Sequence, residues 1–209
     1  MKIAVVCANG KEGQKIVDEA LGRGLDVTAV VRGENRSNAK KALVRDLFEL
    51  TAEDLRGFDV VIDAFGAWTA ETVGQIPAAV KHLCGVLRGT DARFLVVGGA
   101  GSLYVDPEHT ATLDQGPDFP DLFKPVSAAH GEALDFLRTQ NDVRWTYVSP
   151  AADFRADGAR TGEYTLGGEE LTLNAAGQSV VSYADFAIAM VDEAVAGAHV
   201  GRRISVVSK

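Results

Sequence analysis

Cysteine is scarce in this chain: Cys7 and Cys84 are the only two among 209 residues. A disulfide scaffold is excluded. Both cysteines sit in apolar surroundings, far from any metal-ligand spacing, and read as buried free thiols in a reducing compartment. The four histidines, His82, His109, His130 and His199, are too scattered for a metal site. Long hydrophobic runs are lacking too. None approaches the ~20 residues that span a bilayer, and Met1-Lys2-Ile3 opens directly into an apolar run rather than a secretory leader. The expectation is a cytoplasmic protein with no membrane partner. Positive charge is in deficit, with 21 Lys+Arg against 29 Asp+Glu and a net charge of −8. That balance argues against a nucleic-acid partner.

Apolar residues, by contrast, are plentiful, at 46%. A chain of this length buries roughly 70% of its unfolded surface and needs no metal or disulfide to fold. One domain over residues 1–209 is expected. The charge is uneven. Residues 1–50 hold 9 Lys+Arg and 7 Asp+Glu, a net of +2, whereas residues 51–209 hold 12 and 22, a net of −10. A polyanionic ligand therefore belongs near the N-terminus.

Strand and helix patterns alternate. Ile3 to Cys7 is a short, wholly apolar strand ending at a glycine turn. Residues 11–23 follow with Ile16, Val17, Ala20 and Leu21 at helical spacing. Further strands are expected at Val27–Val31, 43–47, 59–65, 93–98, 144–148 and 203–207. Helices are expected from Pro77 to Leu87, from Ser127 to Thr139, and after Ser182, where Ser182 can cap and Asp185 can reach back to it. Val195 and Phe136 are expected to face inward. This alternation predicts an α/β, doubly wound parallel sheet. Two glycine- and proline-rich stretches, at about 99–126 and 153–181, break the rhythm, with short strand-like pieces at 163–166 and 171–173. Loops this long in a compact domain are usually functional, and these are assigned to the substrate side.

Ligands of open parallel sheets bind beyond the carboxyl ends of the strands, at the point where strand order reverses. Here that position carries Cys7-Ala8-Asn9-Gly10-Lys11-Glu12-Gly13. Gly10 would let backbone approach a pyrophosphate, Gly13 would let the helix pack close to the sheet, and the helix N-terminus would face the phosphates. The full dinucleotide fingerprint has an earlier glycine where this chain has Cys7. At the end of the second strand an acid would bond a ribose 2′-hydroxyl, whereas an arginine suits a 2′-phosphate. Val31 is followed by Arg32, with Arg36 beyond. NADP(H) is therefore expected in preference to NAD(H). Asp46-Leu47 at the end of the third strand is a candidate for the adenine amino group, with a cap as the competing reading. Ala64-Phe65-Gly66 after the fourth strand would lie along a ribose.

These residues together resemble a known group, the atypical short-chain dehydrogenases/reductases of the NmrA-like type. Within it the likeness is to bacterial NADH-flavin reductases related to biliverdin reductase B. The resemblance covers essentially the whole chain. It rests on Ala8 to Gly13, Val30-Val31-Arg32, Asp46-Leu47, Val96 to Leu103, Tyr147-Val148-Ser149-Pro150, Arg160 to Tyr164 and Ser182 to Ala187. It implies an NADP(H)-binding Rossmann fold with a small C-terminal substrate-binding part, with Gly98 at the cofactor and Ser149-Pro150 beside the nicotinamide. Typical members use a Tyr and a Lys four residues on. Those places fall on Lys124 and Ala128, so the pair is absent, and the usual serine place falls on Ala100 with Ser102 two residues beyond.

A cofactor-borne hydride can reduce a flavin or quinone without a dedicated acid. His130, expected in the first turn of its helix, is the leading candidate for a proton donor, and it matches a histidine position in the flavin-reductase relatives. Ser102 is a candidate hydrogen-bond donor to a carbonyl, with Tyr104 and Lys124 behind it. Trp68, Phe119, Phe123 and Phe154 are candidates to line a planar pocket. The expected partner is a small molecule, with the protein a monomer or homodimer. Two functions stay open: an NADP(H)-dependent reductase of a flavin or quinone, and a non-catalytic NADP(H) sensor. The acidic C-terminal half tilts the acceptor toward a neutral, quinone-like molecule.

Overall fold

The computed structural model describes residues 1–209. In chain order its elements are β1 (Lys2–Val6), α1 (Lys11–Gly22), β2 (Asp26–Val31), β3 (Lys41–Val44), β4 (Val60–Asp63), α2 (Gln75–Leu87), β5 (Arg93–Val97), α3 (Lys124–Arg138), β6 (Arg144–Ser149), β7 (Asp153–Arg155), β8 (Tyr164–Gly167), β9 (Val180–Ser182), α4 (Tyr183–Ala196) and β10 (Arg202–Ser208). The main sheet runs β3-β2-β1-β4-β5-β6-β10-β8. All its pairs are parallel except β10–β8, an antiparallel edge. This is the doubly wound arrangement, with strand order reversing between β1 and β4.

The apolar run of the central strand follows from its position. Ile3 and Val5 of β1 pack under the layer of α1 and α4, and Ala4 and Val6 under the layer of α2 and α3. Both faces are covered, so both must be apolar. On α1, Ile16, Val17 and Ala20 are fully buried; burial of an Ile or Val side chain contributes about 1.5–3 kcal/mol. On α2 the same task falls to Ile76, Val80, Leu83 and Leu87.

Several elements differ from the sequence expectation. The third strand stops at Val44, and Asp46 instead caps a single 3-10 turn, Leu47–Glu49, its carboxylate accepting from the Phe48 N–H at 2.9 Å. Helix α3 starts three residues early because Pro125 fits its first turn. His130 therefore lies in the second turn rather than the first. Residues 171–173 form no strand; the segment is tied to the 99–126 loop by the Leu171 N–H donating to the Tyr104 carbonyl. The small β7–β9 ladder was not anticipated. Ser182 does cap α4, accepting from the Asp185 N–H, but the Asp185 carboxylate does not reach back to it. It turns instead to the Thr161 and Gly162 N–H groups, both at 2.9 Å, and so pins that loop. Phe136 is only partly buried and Val195 is exposed.

The long loops are held down by a buried arginine. Arg203 of β10 has no side-chain exposure. It donates to the Ser102 carbonyl at 2.9 Å and to the Ser102 hydroxyl at 3.0 Å, and its other terminal nitrogen reaches the Glu169 carbonyl and carboxylate. Arg138 of α3 shares Glu169 at 2.7 Å. Removing one partner of a buried ion pair costs about 3 kcal/mol or more. Arg203→Ala is accordingly expected to lower stability by about 3 kcal/mol in urea unfolding. A loss below about 1 kcal/mol would show that the clamp is not what holds the loops.

Candidate functional site

The carboxyl ends of β1, β2, β4 and β5 open into a cavity of two lobes. The first, about 720 Å³, lies over β1, β2 and the Asp46 turn and is lined by Asn9, Gly10, Arg32, Arg36, Asp46, Leu47 and Phe48, among others. The second, about 590 Å³, runs on toward α3 and β7 and is lined by Lys11, Glu12, Gly98 to Gly101, Ser127, His130, Pro150 and Phe154, among others. Gly10, Ala64, Phe65 and Gly66 line both lobes and form their junction.

The junction is built by the turn after β1. Cys7 has φ 61°, a left-handed conformation that costs a residue with a Cβ about 1–2 kcal/mol. Its carbonyl accepts from the Gly10 N–H at 2.9 Å. A Cβ on Gly13 would lie 2.6 Å from that same carbonyl oxygen and 3.0 Å from Ala8 Cα, so only glycine lets α1 sit this close. Gly10 is the N-cap of α1 and no side chain caps it. The N–H groups of the first turn have no carbonyl within the helix to donate to, and the turn begins at Gly10, which lines both lobes.

Asn9 serves a different end from direct contact alone. Its amide donates to the Glu34 carbonyl at 2.8 Å and accepts from the Arg36 N–H at 2.7 Å. It thereby stitches the β1 turn to the loop that carries Arg32 and Arg36. Both arginines line the first lobe and neither forms an ion pair, whereas Arg45 on the same rim pairs with Asp54 at 3.4 Å.

In the second lobe three close contacts account for the glycines of residues 98–101. A Cβ on Gly98 would fall 2.3 Å from the Tyr147 ring, one on Gly99 2.9 Å from His130, and one on Gly101 1.8 Å from the Ser127 hydroxyl. Tyr147 accepts from the Gly99 N–H at 3.0 Å, and its hydroxyl lies 3.3 Å from both Nδ1 and the carbonyl of His130. Burial pushes the His130 imidazole down to about 4, so it is neutral near pH 7. Ser127 donates to Asp114 at 2.5 Å, and Asp114 also accepts from Thr112, fixing the loop against α3. At the end of β4, burial raises the Asp63 carboxyl to about 6, and it accepts from the Phe65 N–H at 3.0 Å.

Glu12 is the most unusual group. It is 7% exposed, and both carboxyl oxygens are buried without a hydrogen-bond partner. Burial raises its pKa well above the ordinary 4.5.

Of the residues singled out from sequence, Asn9, Gly10, Lys11, Glu12, Arg32, Asp46, Leu47, Ala64, Phe65, Gly66, Gly98, Pro150 and His130 all line the cavity. So do Trp68, Phe119, Phe123 and Phe154. Ala8 and Gly13 do not line it: Ala8 is fully buried under α1, and Gly13 acts through packing. Ser149 is fully buried at the end of β6, with Pro150 reaching the lobe in its place. Ser102 is turned away, held by Arg203. Lys124 is exposed and pairs with Asp121 at 2.6 Å, and Tyr104 stacks on His109, so neither reaches the lobe. Tyr147, Ser127, Asp114 and Asp63 were not given roles from sequence. Their partners come from distant segments, and Tyr147 reads there as an ordinary core residue of an apolar strand.

Fold and site together define a dinucleotide-binding protein of the doubly wound α/β class. The chain belongs to the NAD(P)H-binding family, whose model matches residues 7–194. It is 42% identical to the uncharacterized protein YwnB of Bacillus subtilis over 212 residues, covering 100% of this chain and 99% of that one. Among solved structures it is similar to a Streptococcus pneumoniae protein described as a "putative NADH-flavin reductase", with 52% identity, TM-score 0.98 and full coverage of both chains. A Burkholderia pseudomallei protein described as a "putative exported protein" is 37% identical, with TM-score 0.89 and 99% coverage of both. The NAD(P)H-binding Rossmann fold that the sequence resemblance implies thus holds, with the family model covering residues 7–194 and the pneumococcal structure matching over the full length.

Two outcomes follow for the turn and for Glu12. Cys7→Gly is expected to be neutral or mildly stabilising in thermal unfolding, and Cys7→Val to cost about 1–2 kcal/mol, because a β-branched residue resists positive φ. Equal stability of the two variants would contradict the assigned strain. A carboxyl whose folded pKa is raised makes its full contribution to stability below its unfolded pKa, and that contribution is lost as pH rises from there through the folded pKa. Wild type should therefore lose Tm relative to Glu12→Gln as pH rises above 4.5. A Tm difference constant from about pH 5 to 8 would remove the buried, unpaired carboxyl from the account.

Proposed function

We propose that this protein is an NADP(H)-dependent reductase of a planar two-electron acceptor of the flavin or quinone kind. The observation that carries the reading is the two-lobed cavity, joined where α1 presents its uncapped first turn. An extended dinucleotide fits it in one direction. Adenosine belongs in the first lobe, with Leu47 and Phe48 against it and Arg32 and Arg36 available to a 2′-phosphate. Pyrophosphate belongs at the Gly10 junction, where no side chain caps the helix. The nicotinamide end then belongs in the second lobe.

The bound cofactor would supply the hydride. The chain's own residues position and shield. Gly98 to Gly101 line the lobe with little side chain, and Trp68, Phe119, Phe123 and Phe154 give an aromatic lining suited to a planar ring. His130 lines this lobe in its neutral form and offers a hydrogen bond rather than a cationic acid. The flavin-reductase description of the pneumococcal relative supports a flavin, while the net charge of −10 over residues 51–209 favours a neutral acceptor.

One observation favours a second reading, a non-catalytic NADP(H) sensor: neither of the two donor candidates read from the sequence serves as an acid here, Ser102 being held by Arg203 and His130 being neutral. Steady-state oxidation of NADPH with FMN, FAD or small quinones separates the two. Turnover supports the reductase. Micromolar NADPH binding with no turnover of any acceptor overturns it in favour of the sensor. For cofactor choice, Arg32→Ala combined with Arg36→Ala is expected to weaken NADPH by about tenfold or more and NADH by less than about threefold, measured by titration of the bound nucleotide. Equal losses would contradict the assignment of these arginines to a 2′-phosphate.

A further inference from the structure

Within the second lobe, Glu12 is the buried ionisable side chain for which the chain provides no partner. It is the second residue of α1, two positions from the Gly10 junction. Its two oxygens are sealed from solvent and bond to nothing. The groups that face it do not compensate it. Lys15 on the same helix attracts it from a distance, and Tyr183 at the start of α4 bears on it across the α1–α4 contact. On the lobe's other walls, Lys11 and Asp153 are exposed, Asp153 being already paired with Arg155 at 2.6 Å, and His130 is neutral. A carboxyl so placed can be kept only as the neutral acid or against a cation brought from outside.

The reading of the preceding subsection, on which this inference rests, brings such a group. A nicotinamide ring is neutral when reduced and cationic when oxidised. We propose that Glu12 is the counter-charge to the oxidised nicotinamide ring, keeping its proton beside the reduced cofactor and releasing it when the oxidised cofactor is bound. The charges and atoms balance. The acceptor gains a hydride from the cofactor. The O–H bond of Glu12 breaks, and its proton, freed as the side chain turns from its buried position toward the ring, supplies the second hydrogen of the reduced acceptor. The lobe is left with a carboxylate beside a cationic ring.

The test is equilibrium binding of NADP+ and of NADPH to the full chain from about pH 6 to pH 8, in wild type and in Glu12→Gln. The ratio of the two dissociation constants is read, so that titration of the 2′-phosphate, common to both nucleotides, cancels. In wild type the preference for NADP+ is expected to rise with pH by up to about tenfold per unit, one proton being released. In Glu12→Gln the ratio is expected to be flat. Calorimetry of the wild type in two buffers of different ionisation enthalpy gives a second reading that needs no variant: about one proton released with NADP+ and none with NADPH. A flat ratio in wild type, equal proton release with both nucleotides, or a slope that survives in Glu12→Gln overturns the proposal while leaving the cofactor assignment standing. Failure of both nucleotides to bind overturns the cofactor assignment itself, and the role of Glu12 with it.

Discussion

Everything at this site depends on how closely α1 approaches the end of β1. The Cys7 carbonyl accepts the Gly10 N–H, and Gly13 packs without a Cβ against the same oxygen. That contact sets where the helix begins, so that its uncapped first turn starts at the junction of the two lobes. It also explains two oddities. Cys7 occupies a left-handed position that glycine would fill with less strain. Glu12 is carried inward with the tightly packed first turn and loses its access to water.

The two lobes differ in electrostatic character, and each difference traces to particular residues. The first lobe is rimmed by Arg32 and Arg36, exposed and without carboxylate partners, on a loop that Asn9 holds in place. Charge recognition there is open to solvent and will be screened by salt. The second lobe contains ionisable groups that burial drives toward their neutral forms, His130 downward and Glu12 upward. Where the lobe is walled by aromatic and aliphatic side chains it suits a planar uncharged molecule, and a charge that develops there is costly unless a counter-charge forms with it.

The fold was legible because its inner strands are buried on both faces, and short apolar runs such as Ile3 to Val6 admit no other placement once helices alternate with them. The positions of the glycine turn and of Arg32 on the cavity wall were legible because each directly follows the end of a strand. What was not legible depends on distant ones. Asp46 could be read either as a strand end facing adenine or as a cap, and only the structure shows its carboxylate taken by the Phe48 N–H two residues on. Ser102 looks available in a glycine-rich loop, but Arg203, one hundred and one residues away, holds it. Arg203 itself carried a signal: an arginine inside an apolar strand must find partners for a buried guanidinium. Nothing local marked Tyr147, whose hydroxyl meets Gly99 and His130 only after β5, β6 and α3 assemble.

The central claim is that one dinucleotide lies across both lobes with its nicotinamide end beside Glu12 and His130. A crystal structure of the protein with NADP+ tests it most directly. The account predicts the 2′-phosphate at Arg32 and Arg36, pyrophosphate at the Gly10 to Gly13 turn, and the nicotinamide ring against Glu12 in the second lobe. An adenine ring in the second lobe, or a nicotinamide ring turned out to solvent away from Glu12, would contradict it.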